Sequence, residues 1–254
     1  MENQGLSIDL SGKTALVTGG TGKLGAVICK TLAKCGANIG IQTFSQIDKA
    51  KELKNEIESM GCKAGIVQAD VTKQEGIEKI KQMMTDELVM PNILVNNAVI
   101  QYDWLSVLDQ PLEDYVSQFE STVMHNVMMV KAFVPEMIKQ QYGRIVITNT
   151  ECSMQCKIGQ SAYVSGKRGL DGLARILAKE VGEHQITVNQ VAPGWIIDES
   201  KEENDKGYIA EVPLNRRGHA EDIANAVAFL SSDLANFITG LYMPVAGGNV
   251  MAAI

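Results

Sequence analysis

The chain has 254 residues, of which 45% are hydrophobic, and a formal net charge of −7 at pH 7. This composition fits a globular enzyme with a sizeable core, and the acidic balance without a basic cluster excludes an evident nucleic-acid surface. No apolar run approaches the ~20 residues that span a bilayer, and the polar N-terminus is unlike a signal peptide. The five cysteines form no metal-ligand pattern, so we expect a cytoplasmic protein with reduced thiols and no metal site.

Short apolar runs alternate with helical patterns along the chain. The runs, each a predicted strand, cover 15–18, 39–44, 64–69, 93–98, 145–148, 187–192 and 241–245. The helical patterns between them cover 23–34, 48–60, 74–87, 112–140, 161–182 and 219–231. This alternation predicts an α/β fold with a parallel sheet covered on both faces. Because no repeat or linker marks a boundary, we expect a single domain over 1–254, with a cofactor half of about 1–150 and a substrate half of about 151–254.

A glycine-rich turn follows the first predicted strand. The apolar run ends at Thr18-Gly19, and a helical pattern begins near Leu24. A glycine at position 19 permits the tight turn, while Gly25 allows the helix to pack closely on the strand. The N–H groups of such a turn, together with the start of the helix, can hold a pyrophosphate. The pattern therefore predicts a dinucleotide site.

Tyr163 and Lys167 lie four residues apart in a predicted helix, so they share one helix face. A free Tyr hydroxyl titrates near pH ~10, which is too high for proton transfer in a neutral cell. Because a nearby ammonium favours the phenolate, we expect Lys167 to lower the pKa of Tyr163. This pair is a candidate general acid/base, although the same spacing also arises in solvated helices.

The stretch 198–212 is polar and charged, and it follows the carboxyl end of a predicted strand. Open α/β sheets bind ligands at that edge. Either a mobile lid or a plain solvated loop is consistent with this composition.

With these motifs in order, the chain resembles the classical short-chain dehydrogenase/reductase family, in particular its 3-oxoacyl-carrier-protein reductases. The likeness rests on Thr18-Gly19 with Gly25, Asp70-Val71, Asn96-Asn97-Ala98, Tyr163 with Lys167, Asn189 through Gly194, and Ile238-Thr239-Gly240. The resemblance implies a single Rossmann-type, doubly wound domain with a seven-stranded parallel sheet. The implied chemistry is reversible hydride transfer between a nicotinamide cofactor and a carbonyl or alcohol.

The family's catalytic Ser and helical Asn are both replaced by Thr. The Ser, thirteen residues before the Tyr, corresponds to Thr150, which retains a hydroxyl for the substrate oxygen. The Asn, which helps to hold a water in the proton relay, corresponds to Thr122. Asn126 lies one turn further along, but we prefer Thr122 because the spacing to Tyr163 is kept. We therefore expect Tyr163, Lys167, Thr150 and Thr122 to form the catalytic set, with slower chemistry than in the family.

The resemblance also implies a set of cofactor-binding residues. These are Gly19, Thr21, Lys23, Leu24, Thr43, Asp70, Val71, Asn97, Tyr163, Lys167, Pro193 and Ile196. The chain departs from the family pattern at Val99, where a Gly is customary, and at Asp198, where a Thr commonly meets the carboxamide. A nucleotide-binding, non-catalytic homologue is therefore the alternative to an enzyme.

The end of the second strand predicts the choice of cofactor. An Asp or Glu there binds the ribose 2′-OH and repels a 2′-phosphate. Thr43 occupies this position, and Lys23 adds positive charge nearby. Both residues favour NADP over NAD. If the Lys23 side chain instead points into solvent, only Thr43 favours NADP.

Substrate and partners are less constrained by the sequence. A small-molecule ketone or acyl thioester fits, and the acidic chain lacks the basic patch that an acidic carrier would favour. The methionines of the long fourth helix, Met124, Met128, Met129 and Met137, predict a subunit interface, and we expect a homotetramer. Trp195, directly after Pro193-Gly194, is a candidate for the wall of the substrate pocket.

Overall fold

The computed structural model describes residues 7–197 and 206–251. Its seven strands form one parallel sheet in the order β3-β2-β1-β4-β5-β6-β7. The strands are β1 (Thr14–Val17), β2 (Asn38–Thr43), β3 (Ala64–Gln68), β4 (Ile93–Asn96), β5 (Gly143–Thr148), β6 (Ile186–Pro193) and β7 (Tyr242–Val245). The order reverses between β1 and β4, so the carboxyl ends of these two strands diverge into a crevice. The predicted doubly wound α/β fold is confirmed.

Helices cover both faces of the sheet, as the alternation predicted. They are α1 (Lys23–Lys34), α2 (Ile47–Ser59), α3 (Gln74–Glu87), α4 (Leu112–Phe119), α5 (His125–Gln140), α6 (Cys152–Gln155), α7 (Ser161–Val181), α8 (Lys206–Glu211) and α9 (Ala220–Ser231). One core layer packs α1, α2 and α9 on the sheet, and the other packs α3, α5 and α7. Within the described part of the chain, no helix is both long and apolar enough to cross a membrane.

The strands β1, β2 and β4 form the centre of this core and are buried along their length. Ala15 pairs with Ile39 on one side and with Ile93 on the other. All three side chains are fully buried. Apolar, largely β-branched runs of this kind are typical of parallel strands covered on both faces. The rigid centre fixes the strand ends from which the cleft residues project.

The prediction of a single helix over 112–140 is wrong in one respect. A π-helical turn at Glu120–Met124 separates α4 from α5. The Asn126 side chain donates from Nδ2 to the Thr122 carbonyl at 2.7 Å, which satisfies an oxygen that the widened turn exposes. Helical periodicity cannot reveal one inserted residue, because the apolar pattern continues on both sides of it.

The interpretation of the methionines as an interface is wrong for two of them. Met129 and Met137 are fully buried in the core beneath the sheet. Met128 is partly buried against the same cluster, and Met124 is 40% exposed. Flexible thioether side chains here fill the gap between α5 and the strands.

The polar stretch 198–212 is described only in part, because 198–205, including Asp198, lies outside the described residues. Its second half forms α8, in which Tyr208 is buried. A solvated loop is therefore the wrong description of residues 206–211, since this short helix packs against the residues that follow β6.

Candidate active site

A cleft of about 1340 Å³ opens at the carboxyl ends of the strands. Most of the predicted site residues line it: Gly19, Thr21, Lys23, Leu24, Thr43, Asp70, Val71, Asn97, Thr150, Tyr163, Pro193 and Ile196. Thr122 and Lys167 do not reach the cleft surface. Each is only 2% exposed and lies behind it. The topology thus collects, in one cleft, residues that are far apart in the sequence.

The glycine turn is shaped so that only glycines fit. Gly19 has φ +62°, and its N–H donates to Gln42 Oε1 at 2.7 Å. A Cβ at Gly25 would lie 2.1 Å from the Gly19 carbonyl oxygen. No side chain caps the start of α1 at Gly22, and the positive end of a helix dipole favours an anion there. This cradle fits a pyrophosphate.

Uncharged polar side chains line the end of the cleft beside β2. Thr43 is 1% exposed, and its Oγ1 lies 2.7 Å from Thr21 Oγ1. The same Oγ1 accepts from the Gln46 N–H at 3.1 Å. The hydroxyl is therefore held at the strand end where a carboxylate would select against a 2′-phosphate.

Thr18 and Asn97 bind the ends of β1 and β4 to each other at the reversal of strand order. The Asn97 N–H donates to Thr18 Oγ1 at 3.0 Å, and Asn97 Nδ2 donates to the Thr18 carbonyl at 3.1 Å. Thr148 at the end of β5 donates from Oγ1 to Asn97 Oδ1 at 3.3 Å. These bonds fix the middle of the cleft floor.

The side chains of Thr150 and Gln101 lie beside the Tyr163 hydroxyl, and both act to lower its pKa. Burial raises the pKa of this hydroxyl above its usual range, and these two side chains only partly offset the rise. We expected Lys167 to lower the pKa of Tyr163. In the folded protein this pKa is raised instead, because burial of the phenol dominates. A protonated Tyr163 in contact with a second hydroxyl is suited to donate a proton to an oxygen between them.

Lys167 extends beneath Tyr163 towards the sheet. Its Nζ donates to the Thr148 carbonyl at 2.7 Å and lies 5.9 Å from the centre of the Tyr163 ring. Burial lowers the pKa of Lys167 from 10.5 to about 7. The Lys167 amine can therefore lose or gain a proton near neutral pH. It lies between Tyr163 and the interior of the protein.

Thr122 belongs to a buried polar network. Gln118 donates from Nε2 to Thr122 Oγ1 at 2.5 Å, while Asn126 donates from Nδ2 to the Thr122 carbonyl. Asn96, the last residue of β4, donates from Nδ2 to Asn126 Oδ1 at 2.7 Å. The structure thus places both Thr122 and Asn126, the two residues considered from the sequence, in one chain of hydrogen bonds.

Two glutamines of the cleft were missed in the sequence. Gln42 accepts from the Gly19 N–H and also donates to the Ala69 carbonyl at 2.7 Å, and Gln101 lies beside Tyr163 in the cleft. Gln42 lies one position before the strand end that was searched for an acidic residue. Its polarity in an otherwise apolar strand was the signal that could have identified it.

A family comparison agrees with this geometry. A family model described as "Enoyl-(Acyl carrier protein) reductase" matches residues 22–249. The chain belongs to the short-chain dehydrogenase/reductase family. It is 33% identical over 249 residues to the 3-oxoacyl-[acyl-carrier-protein] reductase FabG of Pseudomonas aeruginosa, covering 96% of this chain and all of that protein. It is 35% identical over 250 residues to the FabG of Escherichia coli, with the same coverage.

Solved structures of dehydrogenases share the fold. A 7α-hydroxysteroid dehydrogenase complexed with NADH and 7-oxo glycochenodeoxycholic acid has a TM-score of 0.90 and 28% identity, covering 96% of each chain. A blue fluorescent protein from a metagenomic library, in complex with NADPH, has a TM-score of 0.89 and 30% identity, covering 96% of this chain and all of the other. The chain is therefore an oxidoreductase of this family.

Proposed function

We propose that the protein reduces a carbonyl compound with NADPH, using Tyr163 as the proton donor. The observation that carries this proposal is the Tyr163 hydroxyl, which lies beside Thr150 and Gln101 in the same cleft as the glycine turn. When bound, NADPH would supply the hydride that the carbonyl carbon receives and would leave as NADP⁺. The Thr150 hydroxyl donates a hydrogen bond to the carbonyl oxygen, and Tyr163 transfers its proton to that oxygen. The product is an alcohol.

The residues of the cleft fit NADP along its length. In the proposed site, the turn at Gly19, Thr21, Lys23 and Leu24 holds the pyrophosphate, and Thr43 faces the 2′-phosphate. Asp70 and Val71 border the adenosine end, while Asn97, Tyr163, Pro193 and Ile196 border the nicotinamide end, with Lys167 behind Tyr163. A neighbour in complex with NADPH supports NADP, whereas another neighbour is complexed with NADH.

Thr122 acts in this proposal as a positioning residue for proton supply. Lys167 must regain a proton from solvent after Tyr163 has been reprotonated. The buried network of Thr122, Asn126 and Asn96 lies on the same side as Lys167, beneath the cleft. We place the path of this proton along that network.

The wider organisation is part of the proposal. We propose that the protein is cytoplasmic. We also propose a single domain over 1–254, with its cofactor half at about 1–150 and its substrate half at about 151–254, because one sheet is continuous through both halves. A homotetramer accounts for the exposed apolar side chains on α4 and α7. These are Leu112, Val116, Phe119 and Ile176.

The direct test is a titration of the purified protein with NADPH and NADH, followed by a panel of carbonyl substrates. We expect tighter binding of NADPH and cofactor oxidation with at least one carbonyl substrate. Tighter binding of NADH would contradict the cofactor assignment. Binding of NADPH without turnover on any carbonyl would contradict the catalytic assignment.

A further inference from the structure

Both tryptophans of the chain lie on the substrate side of the cleft. Trp104 follows β4, and Trp195 follows β6. Their ring centres are 6.0 Å apart and their planes are inclined by 60°. Two indole rings at this angle form an apolar corner rather than a closed stack. Together with Tyr208, which packs on Trp195, they are called the aromatic wall below.

Trp195 is held in one orientation by Tyr208. The two rings are stacked with centres 4.6 Å apart and planes inclined by 7°. The Trp195 backbone N–H donates to the Tyr208 hydroxyl oxygen at 2.8 Å. Because one ring face and the backbone of Trp195 are both fixed, the wall presents a rigid surface that needs no ordering when a ligand binds.

The buried carboxylate of Glu151 anchors this arrangement. Glu151 is fully buried directly after Thr150, and its carboxylate lies near the Tyr208 hydroxyl. Its Oε2 accepts from Asn249 Nδ2 at 3.0 Å, and its backbone N–H donates to the Pro193 carbonyl at 2.9 Å. Through its side chain and its backbone, Glu151 thus joins the catalytic loop to the segment before Trp195 and to the C-terminal loop.

Acidic side chains lie beside the Trp104 end of the aromatic wall. Residues 99–130 contain five Asp or Glu and no Lys or Arg. Asp103 and Asp114 line a second pocket of about 580 Å³, which adjoins the main cleft at Gln101. At the other end, Arg217 donates to the carbonyl of Ile196, the residue after Trp195. Carboxylates beside Trp104 disfavour a substrate that carries negative charge at that end of the cleft.

We infer that the substrate is a free, uncharged ketone whose carbonyl is part of a flat, apolar ring system that packs on the aromatic wall. This inference rests on the proposed function and narrows it. A flat ring gains contact area against a fixed indole at little entropic cost, whereas an acyl chain must be ordered bond by bond. Val99, Ile100 and Cys152 add small apolar groups to the lining beside Tyr163.

The test compares three carbonyl compounds at saturating NADPH: 2-tetralone as the flat ring ketone, 2-decanone as the open-chain ketone, and acetoacetyl-coenzyme A as the anionic thioester. We expect kcat/KM for 2-tetralone to exceed the other two by about tenfold or more. Equal or higher kcat/KM for the thioester would overturn the inference, while leaving the proposed function intact.

Variants of the aromatic wall show whether that preference comes from the wall. Trp104→Leu, at a residue that is 48% exposed, should lower kcat/KM for 2-tetralone by about tenfold and leave 2-decanone within about twofold. Tyr208→Phe should raise KM for 2-tetralone with little change in kcat, because the Trp195 backbone N–H loses its acceptor while the ring stack remains. Phe237→Leu, at a fully exposed ring outside the cleft, is the matched control. Equal losses on both ketones would contradict a role in specificity.

Calorimetric binding of 2-tetralone separates this inference from the catalytic proposal. We expect binding by the wild-type protein with NADP present, weakened about tenfold in Trp104→Leu and unchanged in Phe237→Leu. If the wild type binds 2-tetralone but reduces no carbonyl, the proposed function fails and the inferred ligand class stands. If it reduces carbonyls but does not bind 2-tetralone, the inference fails alone.

Discussion

In the cofactor half of the cleft, missing Cβ atoms and backbone N–H groups shape the site, whereas the catalytic half depends on side chains that meet across the fold. A missing Cβ at Gly25 and the bond from Gly19 N–H to Gln42 shape the first half. In the second half, Glu151 bonds to Asn249, which is 98 residues away. The comparison teaches that the fold itself supplies a nucleotide cradle, while the chemistry depends on which side chains meet across it.

Ionisable groups behave differently in the catalytic half. Burial lowers the pKa of Lys167 to about 7 and that of His125 to about 4. Burial also raises the pKa of Glu151. Burial of these ionisable groups costs free energy of folding and makes the catalytic half sensitive to pH. Shifted pKa values of this kind are typical of active sites. Four substitutions test this contrast, and they follow in order of expected effect.

Tyr163→Phe should remove the proton donor and lower kcat by about 10²–10⁴-fold, with the dissociation constant for NADPH nearly unchanged. Steady-state rates and a cofactor titration measure the two quantities. Tyr142→Phe is a matched control, because that hydroxyl bonds to Asp233 and lies outside the cleft. Full activity in Tyr163→Phe would show that the catalytic half has been assigned to the wrong side chain.

His125 should make the fold acid-sensitive. Its pKa is about 4 in the folded protein, below its ordinary 6.5, because the ring is fully buried. The unfolded chain therefore binds the proton more readily, and stability falls as pH drops from 6.5 towards 4. The loss from this group is on the order of 3 kcal/mol.

Urea unfolding at pH 7 and pH 4 measures this loss. His125→Asn retains a donor for the Ser121 carbonyl and removes the titration, so it should lose less stability than the wild type on acidification. His184→Asn, in the surface turn after α7, serves as the control. Identical acid losses in the wild type and His125→Asn would exclude this site as the cause.

Thr43→Asp tests the cofactor half. A carboxylate at this strand end should weaken NADPH binding relative to NADH by about 2 kcal/mol, or roughly thirtyfold, through repulsion of the 2′-phosphate. Thr43→Asn has nearly the same shape without the charge and should leave the preference unchanged. The ratio of the two dissociation constants decides, and an unchanged ratio in Thr43→Asp would mean that the 2′-phosphate lies elsewhere.

Thr122→Asn should have the smallest effect. Restoring the family residue should raise kcat by no more than about tenfold, because Gln118 and Asn126 already bond to the Thr122 hydroxyl and carbonyl. Thr122→Ser, which keeps the hydroxyl, controls for the lost methyl group. A fall in kcat with unchanged cofactor affinity would contradict the expectation that an Asn at this position serves the relay better than Thr122.

The sequence predicted the fold well because its signals are local. Apolar runs such as 15–18 and 39–44 correspond to β1 and β2 within one or two residues, since buried parallel strands have few other possible compositions. The π-helical turn at Glu120–Met124 left no periodic signal and was missed.

The candidate site was only partly predictable. Motif positions identified Gly19 and Tyr163, which the structure brings into one cleft, although their roles stay predictions. Gln101 and Glu151 were not identified, because their importance comes from partners that only the folded chain brings near. The pKa of Tyr163 also depends on burial, which spacing to Lys167 does not report.

The central claim is that hydride from NADPH and a proton from Tyr163 reach one carbonyl. Mass spectrometry of the alcohol formed from each of the two C4-deuterated NADPH epimers tests it most directly. The account predicts that one epimer delivers deuterium to the carbonyl carbon in the wild type, and that Tyr163→Phe forms little labelled alcohol while still binding NADPH. Unlabelled alcohol from both epimers, or undiminished labelled alcohol from Tyr163→Phe, would contradict the account.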